Sequence, residues 1–391
     1  MKTTFRFPQK TAYLLFSFLF FISCSKFDNV SVSNMNFEDE VQLAQNLVFT
    51  FDKDLVRESD LNTWEAETYL EISPKVEGKF KWTATNELVF SPAVGFEPAT
   101  EYTVTINNSV TAKSAKKYGL SSDKIKFHTP YLKLENVESY WTKSREDGQG
   151  TAVLKLNFNY PVNPQEVAKM LMIKDSDDKK YDFQLNQTSS STTISLKLKG
   201  ISDSEGKSLK ISLEKGLSMP NAKYETTEEL TLETSLPDIK TLEITDVQHN
   251  FDNNQGYVKV ITNQTISVQD VEKVYKIEIN GASETVEEPV YEYDSLGNPI
   301  VKAPMAVKEK PKTPILETKA EITENGFIIR GDFNETDNYT LTINKEAKGV
   351  LNALLSDDYV KDLYFGAMPA SIGFVNKKAV YLSSKGNKNI A

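Results

Sequence analysis

The feature that most constrains this chain is that it repeats itself. Tyr102-Thr103-Val104-Thr105-Ile106 recurs as Leu209-Lys210-Ile211-Ser212-Leu213, 107 residues on, and again as Tyr339-Thr340-Leu341-Thr342-Ile343, a further 130 residues on. A second landmark keeps the same order. Leu47 to Leu55 alternates apolar and polar side chains and corresponds to Leu154 to Val162, with Phe51 and Phe158 again 107 apart. Val258 to Ile266 is the third version, with Ile266 lying 104 residues after Val162. The strand Ile125 to Pro130 corresponds in turn to Leu230 to Thr234. Two independent landmarks with one offset are hard to produce by chance.

Strict alternation over five to nine residues is the pattern of a half-buried strand, and turn residues punctuate it about every 8–12 positions. The chain therefore reads as all-β, with three tandem modules over 37–131, 132–238 and 239–368. A module of about 100 residues suits a seven-stranded sandwich of the immunoglobulin type. The Cys…Trp…Cys signature is absent, so another two-sheet Greek key stays open. Alternation stops at Ser59–Tyr69 and Pro164–Leu171, where short helical turns are expected. The third module is longer than its predecessors. Residues 284–314 hold Pro289, Pro299, Pro304, Pro311 and Pro314 among Glu and Lys, and read as a long inserted loop. Ala370 to Val375 and Ala379 to Leu382 read as the opening of an incomplete fourth module over 369–391. Those strands are expected either to pack on the third module or to belong to something longer.

Ahead of the repeats, Lys2, Arg6 and Lys10 precede the apolar stretch Thr11 to Ser23. Thirteen residues are too few to cross a hydrocarbon core, which takes about 20 helical residues. The stretch reads as a secretion signal over 1–23. Phe21-Ile22-Ser23-Cys24-Ser25 resembles a bacterial lipobox, with Phe21 in place of the usual Leu. The resemblance implies acylation of Cys24, the only Cys of the chain, and a polar tether over 24–36. The other reading makes Cys24 the last small residue of an ordinary signal peptide. Ser25, not Asp, after the Cys resembles the rule that favours the outer membrane. The expectation is an envelope lipoprotein of a Gram-negative bacterium.

The chemistry available to such a chain is limited. The full sequence has 45 Lys and Arg against 55 Asp and Glu, a net charge of −10, which argues against holding nucleic acid by neutralising phosphates. One Cys excludes a disulfide framework and Cys-based metal clusters. Two His leave little room for imidazole catalysis or a His-rich metal site. No G-x-S-x-G, H-E-x-x-H, P-loop or G-x-G-x-x-G is present. His128 is placed on a terminal strand and His249 in a Gln-His-Asn turn, both as surface or satisfied residues. The acidic run Asp175 to Lys180 suggests a calcium loop. It lacks Gly at the sixth position and has Asn186 where Glu should stand, so a solvated hairpin is expected. Asp203-Ser204-Glu205-Gly206 reads as a tight turn. Trp64, Trp82 and Trp141 are expected in cores, with an exposed binding platform as the other option. Catalytic, cofactor and metal sites are all expected to be absent.

The first module also carries a resemblance. Gly78-Lys79-Phe80-Lys81-Trp82, Glu87-Leu88-Val89-Phe90-Ser91-Pro92 and Pro98-Ala99-Thr100-Glu101-Tyr102-Thr103-Val104 resemble the bacterial Ig-like module of envelope proteins. Trp82, Leu88, Phe90, Tyr102, Val104 and Ile106 would share one core face, and Pro92 and Pro98 would end strands at a corner. The lipobox, this module first, two further sandwiches, then Phe365 to Phe374 and Tyr381-Leu382 together resemble the N-terminal region of bacterial alpha-2-macroglobulins. Those are envelope lipoproteins that trap proteases through a bait segment, many with a Cys–Gln thioester. No Cys follows Cys24, and nothing matches the bait or thioester regions. The resemblance thus implies the family's stalk and scaffold: a non-enzymatic lipoprotein on the membrane, with proteases or other envelope proteins as partners. Two rivals stand beside it. One is an adhesin or glycan-binding lipoprotein that uses the 284–314 insertion or exposed aromatics. The other is an enzyme with an unrecognised site in a deep polar cleft.

Overall fold

The computed structural model describes residues 28–367, apart from 122–123, 186, 202–205, 221, 253, 268–270, 281–282, 294, 296 and 312–313; for 283–290 and 301–311 it describes the backbone alone. The described residues form two compact units, one reaching Leu132 and including Ser218–Thr226, the other holding Lys133–Leu217 and the chain from Thr227.

In the first unit the strands are β1 (Asn29–Val30), β2 (Val32–Met35), β3 (Leu47–Phe51), β4 (Trp64–Glu65), β5 (Leu70–Ser73), β6 (Gly78–Ala84), β7 (Glu87–Pro92), β8 (Glu101–Ile106), β9 (Gly119–Leu120) and β10 (Lys124–His128). One sheet runs β2-β3-β7-β6-β4 and the other β10-β8-β5. The second unit opens with β11 (Leu134–Lys143), β12 (Gly150–Val162), helix α1 (Pro164–Met170), β13 (Leu171–Asp175), β14 (Phe183–Leu185), β15 (Ser191–Leu198), β16 (Ser208–Leu213) and β17 (Leu230–Ser235). Its sheets are β11-β12-β15-β14 and β13-β16-β17. The third sandwich has β18 (Thr241–Leu242), β19 (Ile244–Asp252), β20 (Gln255–Thr262), β21 (Tyr275–Asn280), β22 (Ser283–Tyr293), β23 (Pro299–Pro311), β24 (Thr318–Thr323), β25 (Gly326–Gly331), β26 (Asn338–Ile343), β27 (Leu354–Leu355) and β28 (Tyr359–Tyr364). Its sheets are β19-β20-β25-β24 and β21-β26-β28. Lettering the seven principal strands of each module A to G gives the same answer three times: A-B-E-D in one sheet and C-F-G in the other. This is the topology of a constant-type immunoglobulin sandwich.

Inward-facing residues of both sheets make each core. In the first sandwich Phe49, Trp82 and Leu88 meet Ile72, Val104 and Phe127. In the third, Val258, Val260 and Phe327 meet Ile277, Leu341 and Leu363. Leu154, Leu156, Ile194, Ile211 and Leu213 are buried in the second. The repeat holds at the level of register: Tyr102 pairs with Phe127, Leu209 with Thr234 and Tyr339 with Leu363. Through that pairing the counterpart of Ile125 is Leu232, two residues past the sequence-based match. It holds in hydrogen bonding as well. The Glu97 N–H donates to the Tyr102 hydroxyl and the Asn334 N–H to that of Tyr339, both at 2.8 Å. These are two tyrosine corners, each closing the turn into an F strand.

Several expectations are corrected. Asn29–Met35, assigned to the tether, are strands of the first sandwich: Val30 is buried, and Val32 and Met35 pack on the core. The helical turn expected at Pro164–Leu171 is found over Pro164–Met170, with Asn163 capping its first turn. Between Ser59 and Tyr69 the only helical turn among the described residues ends at Asp60, and the edge strand β4 follows. The inserted loop is a two-stranded antiparallel ribbon, β22 against β23. A ribbon this narrow has an open edge on both strands, so the missing N–H of each proline is tolerated. Residues 369–391, read as an incomplete module, lie outside the described residues.

Candidate functional site: a clasp between the second and third sandwiches

The sequence-selected residues do not come together. Cys24 and residues 1–27 lie outside the described residues. Trp82 and Trp141 are buried, but Trp64 is 46 % exposed on edge strand β4, with the Lys81 ammonium 4.7 Å from its ring centroid. The inner side is taken by Tyr69, outside β4, which is buried and stacks edge-on against Trp82. His128 stands on β10, and its Nδ1 donates to the Thr129 carbonyl at 2.9 Å. His249 lies within strand β19 and not in a turn; its Nε2 donates to the Tyr364 carbonyl at 2.9 Å. Gly206 has φ of +64°, as a tight turn requires; the rest of that turn falls outside the described residues. On the ribbon, Tyr291, Tyr293 and Ile300 are exposed. Among the described residues no cluster of His, Cys, Asp or Glu is gathered to hold a metal ion. Nor is any described helix long and apolar enough to cross a membrane.

The acidic run is a hairpin, but Asp175 is not solvated. Its Oδ1 accepts the N–H groups of Asp177 and Lys179, each at 3.0 Å. Its Oδ2 accepts the Tyr181 hydroxyl at 2.7 Å and pairs with the Lys207 ammonium at 2.8 Å. Every lone pair faces a donor, which leaves no side for a cation. The Lys207 hydrogen bond, followed by that of Tyr181, holds the Asp175 carboxyl well below the usual carboxylate range. A carboxyl depressed in the folded state stabilises the fold above its unfolded value of about 3.9, and that contribution is lost as pH falls through the folded value. Acid unfolding of the second sandwich, followed by circular dichroism, should steepen below about pH 4. Asp175→Asn should unfold more easily at neutral pH and lose that part of the acid dependence. Parallel acid titrations of the two proteins would refute this.

Organisation of another kind appears where the second sandwich meets the third, inside one compact unit. Strand β11 is an edge, and its outer side is used. The Trp141 N–H donates to the Asn263 carbonyl at 2.8 Å, and the Thr265 N–H donates to the Trp141 carbonyl at 2.9 Å. Trp141 thus forms a parallel bridge with Gln264, on the loop after β20. The indole is buried, and its Nε1–H donates to the Pro237 carbonyl at 2.8 Å. Lys155 reaches across to the Asn325 side chain at 2.9 Å and to the Glu324 carboxylate at 3.1 Å. Beneath it, burial pushes the Tyr140 hydroxyl up, with Glu324 adding to the shift.

The receiving loop is pre-built. Asn263 and Gln264 are buried polar residues, a costly arrangement unless their groups are paired. The Asn263 amide donates to the Asp238 and Thr241 carbonyls at 3.1 and 2.8 Å, while its oxygen accepts the Glu243 N–H at 2.8 Å. The Gln264 amide N–H donates to the Ile239 carbonyl at 2.6 Å, while its side-chain oxygen is buried with no hydrogen-bond partner among the described residues. The same loop therefore grips the inter-module linker and the preceding sandwich. Sequence reasoning passed over these residues. The available signal was a polar Asn-Gln-Thr triplet at the end of an apolar strand, in the segment already aligned between modules. Chemically the clasp positions one module on the next.

The comparisons with known proteins bear on the whole array. Residues 28–129 match the family model described as a bacterial Ig-like domain. An alpha-2-macroglobulin homolog of Yersinia pestis is 23 % identical over 214 residues, 52 % of this chain and 10 % of that protein. An alpha-2-macroglobulin of Rickettsia conorii is 26 % identical over 153 residues, 38 % of this chain and 8 % of that protein. A crystal structure of native alpha-2-macroglobulin from Escherichia coli, spanning domains MG0-NIE-MG1, aligns with 60 % of this chain and 71 % of its own, at 14 % identity and a TM-score of 0.21. The matches thus span about a tenth or less of the length of these curated relatives. The chain is an all-β array of Ig-like sandwiches, headed by a bacterial Ig-like domain and homologous over part of its length to bacterial alpha-2-macroglobulins.

Proposed function

We propose that this chain is the non-enzymatic scaffold portion of an alpha-2-macroglobulin-like protease trap, held at the outer membrane of the cell envelope through a lipid on Cys24. The observation that carries the scaffold reading is the serial construction. Three sandwiches of one topology follow one another, and the buried polar loop between the second and third holds them in register. The sequence similarity to alpha-2-macroglobulins supports the wider assignment. The anchor rests on the lipobox-like Phe21 to Ser25, and a lipid chain contributes about 0.8 kcal/mol per buried CH₂. Trapping itself belongs to regions that this chain does not match.

The test has two readouts in one expression strain. Wild-type protein should take up labelled fatty acid and sediment with membranes, and Cys24→Ser should do neither. Retention of the variant at the wild-type level would overturn the anchor. The purified chain, mixed at equal molarity with an endopeptidase such as trypsin, should leave cleavage of a large protein substrate unchanged. Stoichiometric inhibition would assign trapping to these modules and overturn the scaffold reading.

A further inference from the structure

One row of side chains on the second sandwich lies on the face turned away from its core and is buried all the same. Tyr140, Val153, Lys197 and Gln184 stand opposite one another across β11-β12-β15-β14. Their neighbours Ala152, Leu154 and Leu196 fill the core on the other face. The outer face of an antiparallel sandwich sheet ordinarily turns polar side chains to water. Here Tyr140 is only 4 % exposed and Val153 only 3 %. Part of the cover is the clasp: the Lys155 ammonium lies 5.3 Å from the Tyr140 ring centroid and is held there by Glu324 and Asn325. Beside that cover a cavity of about 370 Å³ remains, lined by Tyr140, Val153, Ser195, Lys197 and Glu324 among others.

The lining has unspent polar groups. The Tyr140 hydroxyl has no hydrogen-bond partner among the described residues, and it is not sealed off as the unpaired Trp82 and Gln264 atoms are. A buried hydroxyl left without an acceptor is costly. Burial, with Glu324 and Glu138 adding to it, pushes this hydroxyl up, so it stays a donor at neutral pH. The Ser195 hydroxyl and the Lys197 ammonium also have no side-chain partner among the described residues. Glu324 pairs with Lys155 through one oxygen, which leaves the other as an acceptor. Lys197 and Glu324 are opposite in charge, so the lining does not select an ion of either sign. A hydrocarbon would leave Tyr140 unpaired. The chemistry that fits is a body with an apolar face, for Val153, and adjacent groups that each donate and accept; sugar hydroxyls are such groups. Gln184 and Lys197 also line a larger polar cleft, of about 950 Å³, which continues to Arg145 and Asp147 at the β11–β12 turn. The space therefore takes more than one ring.

We propose that this cleft binds a neutral oligosaccharide, with its end ring on Val153, a ring oxygen or hydroxyl accepting from Tyr140, and further rings passing Lys197 toward the β11–β12 turn. The proposal goes beyond the scaffold reading and stands without it, since it uses the clasp only as the wall at Glu324.

The probe is an array of immobilised neutral and acidic oligosaccharides, read with the full chain. The strongest neutral ligand is then titrated in free form by calorimetry. Tyr140→Phe removes one oxygen and no contact within the protein, and should weaken binding about 3–10-fold, the worth of one hydrogen bond. Lys197→Ala should weaken it to a similar extent. Both variants should melt at the wild-type midpoint, which separates loss of a ligand contact from loss of fold. Retention of no neutral oligosaccharide, or of acidic ones alone, would overturn the proposal. So would neutral binding that both variants leave intact, because the sugar would then lie on another surface, such as the exposed Tyr291 and Tyr293 of the ribbon. A lower midpoint for Tyr140→Phe would show that its hydroxyl is paired within the fold, and the premise would fall.

Discussion

Replacing Trp141 with Ala should split the unfolding of the second and third sandwiches into two separate transitions. The wild-type indole is buried, its N–H is paired with the Pro237 carbonyl, and its backbone bridges to Gln264. Large-to-small changes at buried Trp cost about 3–5 kcal/mol through lost transfer energy and the cavity left behind. The loss falls on the second sandwich, whose strand β11 carries the residue. One kcal/mol moves the midpoint of a domain of this size by about 4–8 °C, so its transition should drop well clear of the third. Differential scanning calorimetry on the full chain decides it. A single transition displaced by less than about 1 kcal/mol would show that the indole does not couple the modules.

Gly326→Ala should destabilise the third sandwich more than any other single methyl at a glycine. Gly326 opens β25 with φ of +142°, where an L side chain is strained, and an added Cβ would overlap the Val260 carbonyl oxygen and lie 2.9 Å from its carbon. Backbone strain of this kind costs about 1–3 kcal/mol. Forcing the neighbouring strand to yield costs about 1–3 kcal/mol more. The control is Gly297→Ala in the ribbon turn, where φ is +85° and no atom lies within 4 Å of the new methyl, so only strain applies. The two residues before Gly326 are Glu324 and Asn325, the partners of Lys155. Gly326→Ala should therefore also loosen the clasp, read as faster exchange at Trp141 and Thr265. Equal midpoints for the two variants would refute the overlap argument.

These expectations turn on residues that differed in how far their sequence revealed them. Tyr102 and Tyr339 were found by repetition, and their identical hydrogen bonds five residues back confirm that the repeat is structural. Trp82, Leu88, Phe90 and Val104 were legible as one core because period-2 alternation carries strand faces directly. Trp64 was not, since an edge strand of two residues is too short for alternation to declare its inner face. His249 was mistaken for a turn because edge strands tolerate polar residues on their open side. The β22–β23 ribbon was mistaken for a loop because proline forbids only the paired edge of a strand, and sequence does not show which edge is paired.

The sequence by itself determined what recurs: one strand pattern in three copies, its alternating faces, and Tyr102 and Tyr339 at equivalent positions. Local spacing encodes these features, and each copy repeats the evidence of the last. Only the tertiary structure decided how modules join. Burial of Asn263 and Gln264, the outward edge at Trp141 and the reach of Lys155 to Glu324 bring together residues more than 100 positions apart. Such a pairing is a property of two surfaces meeting, and no spacing along one chain announces it.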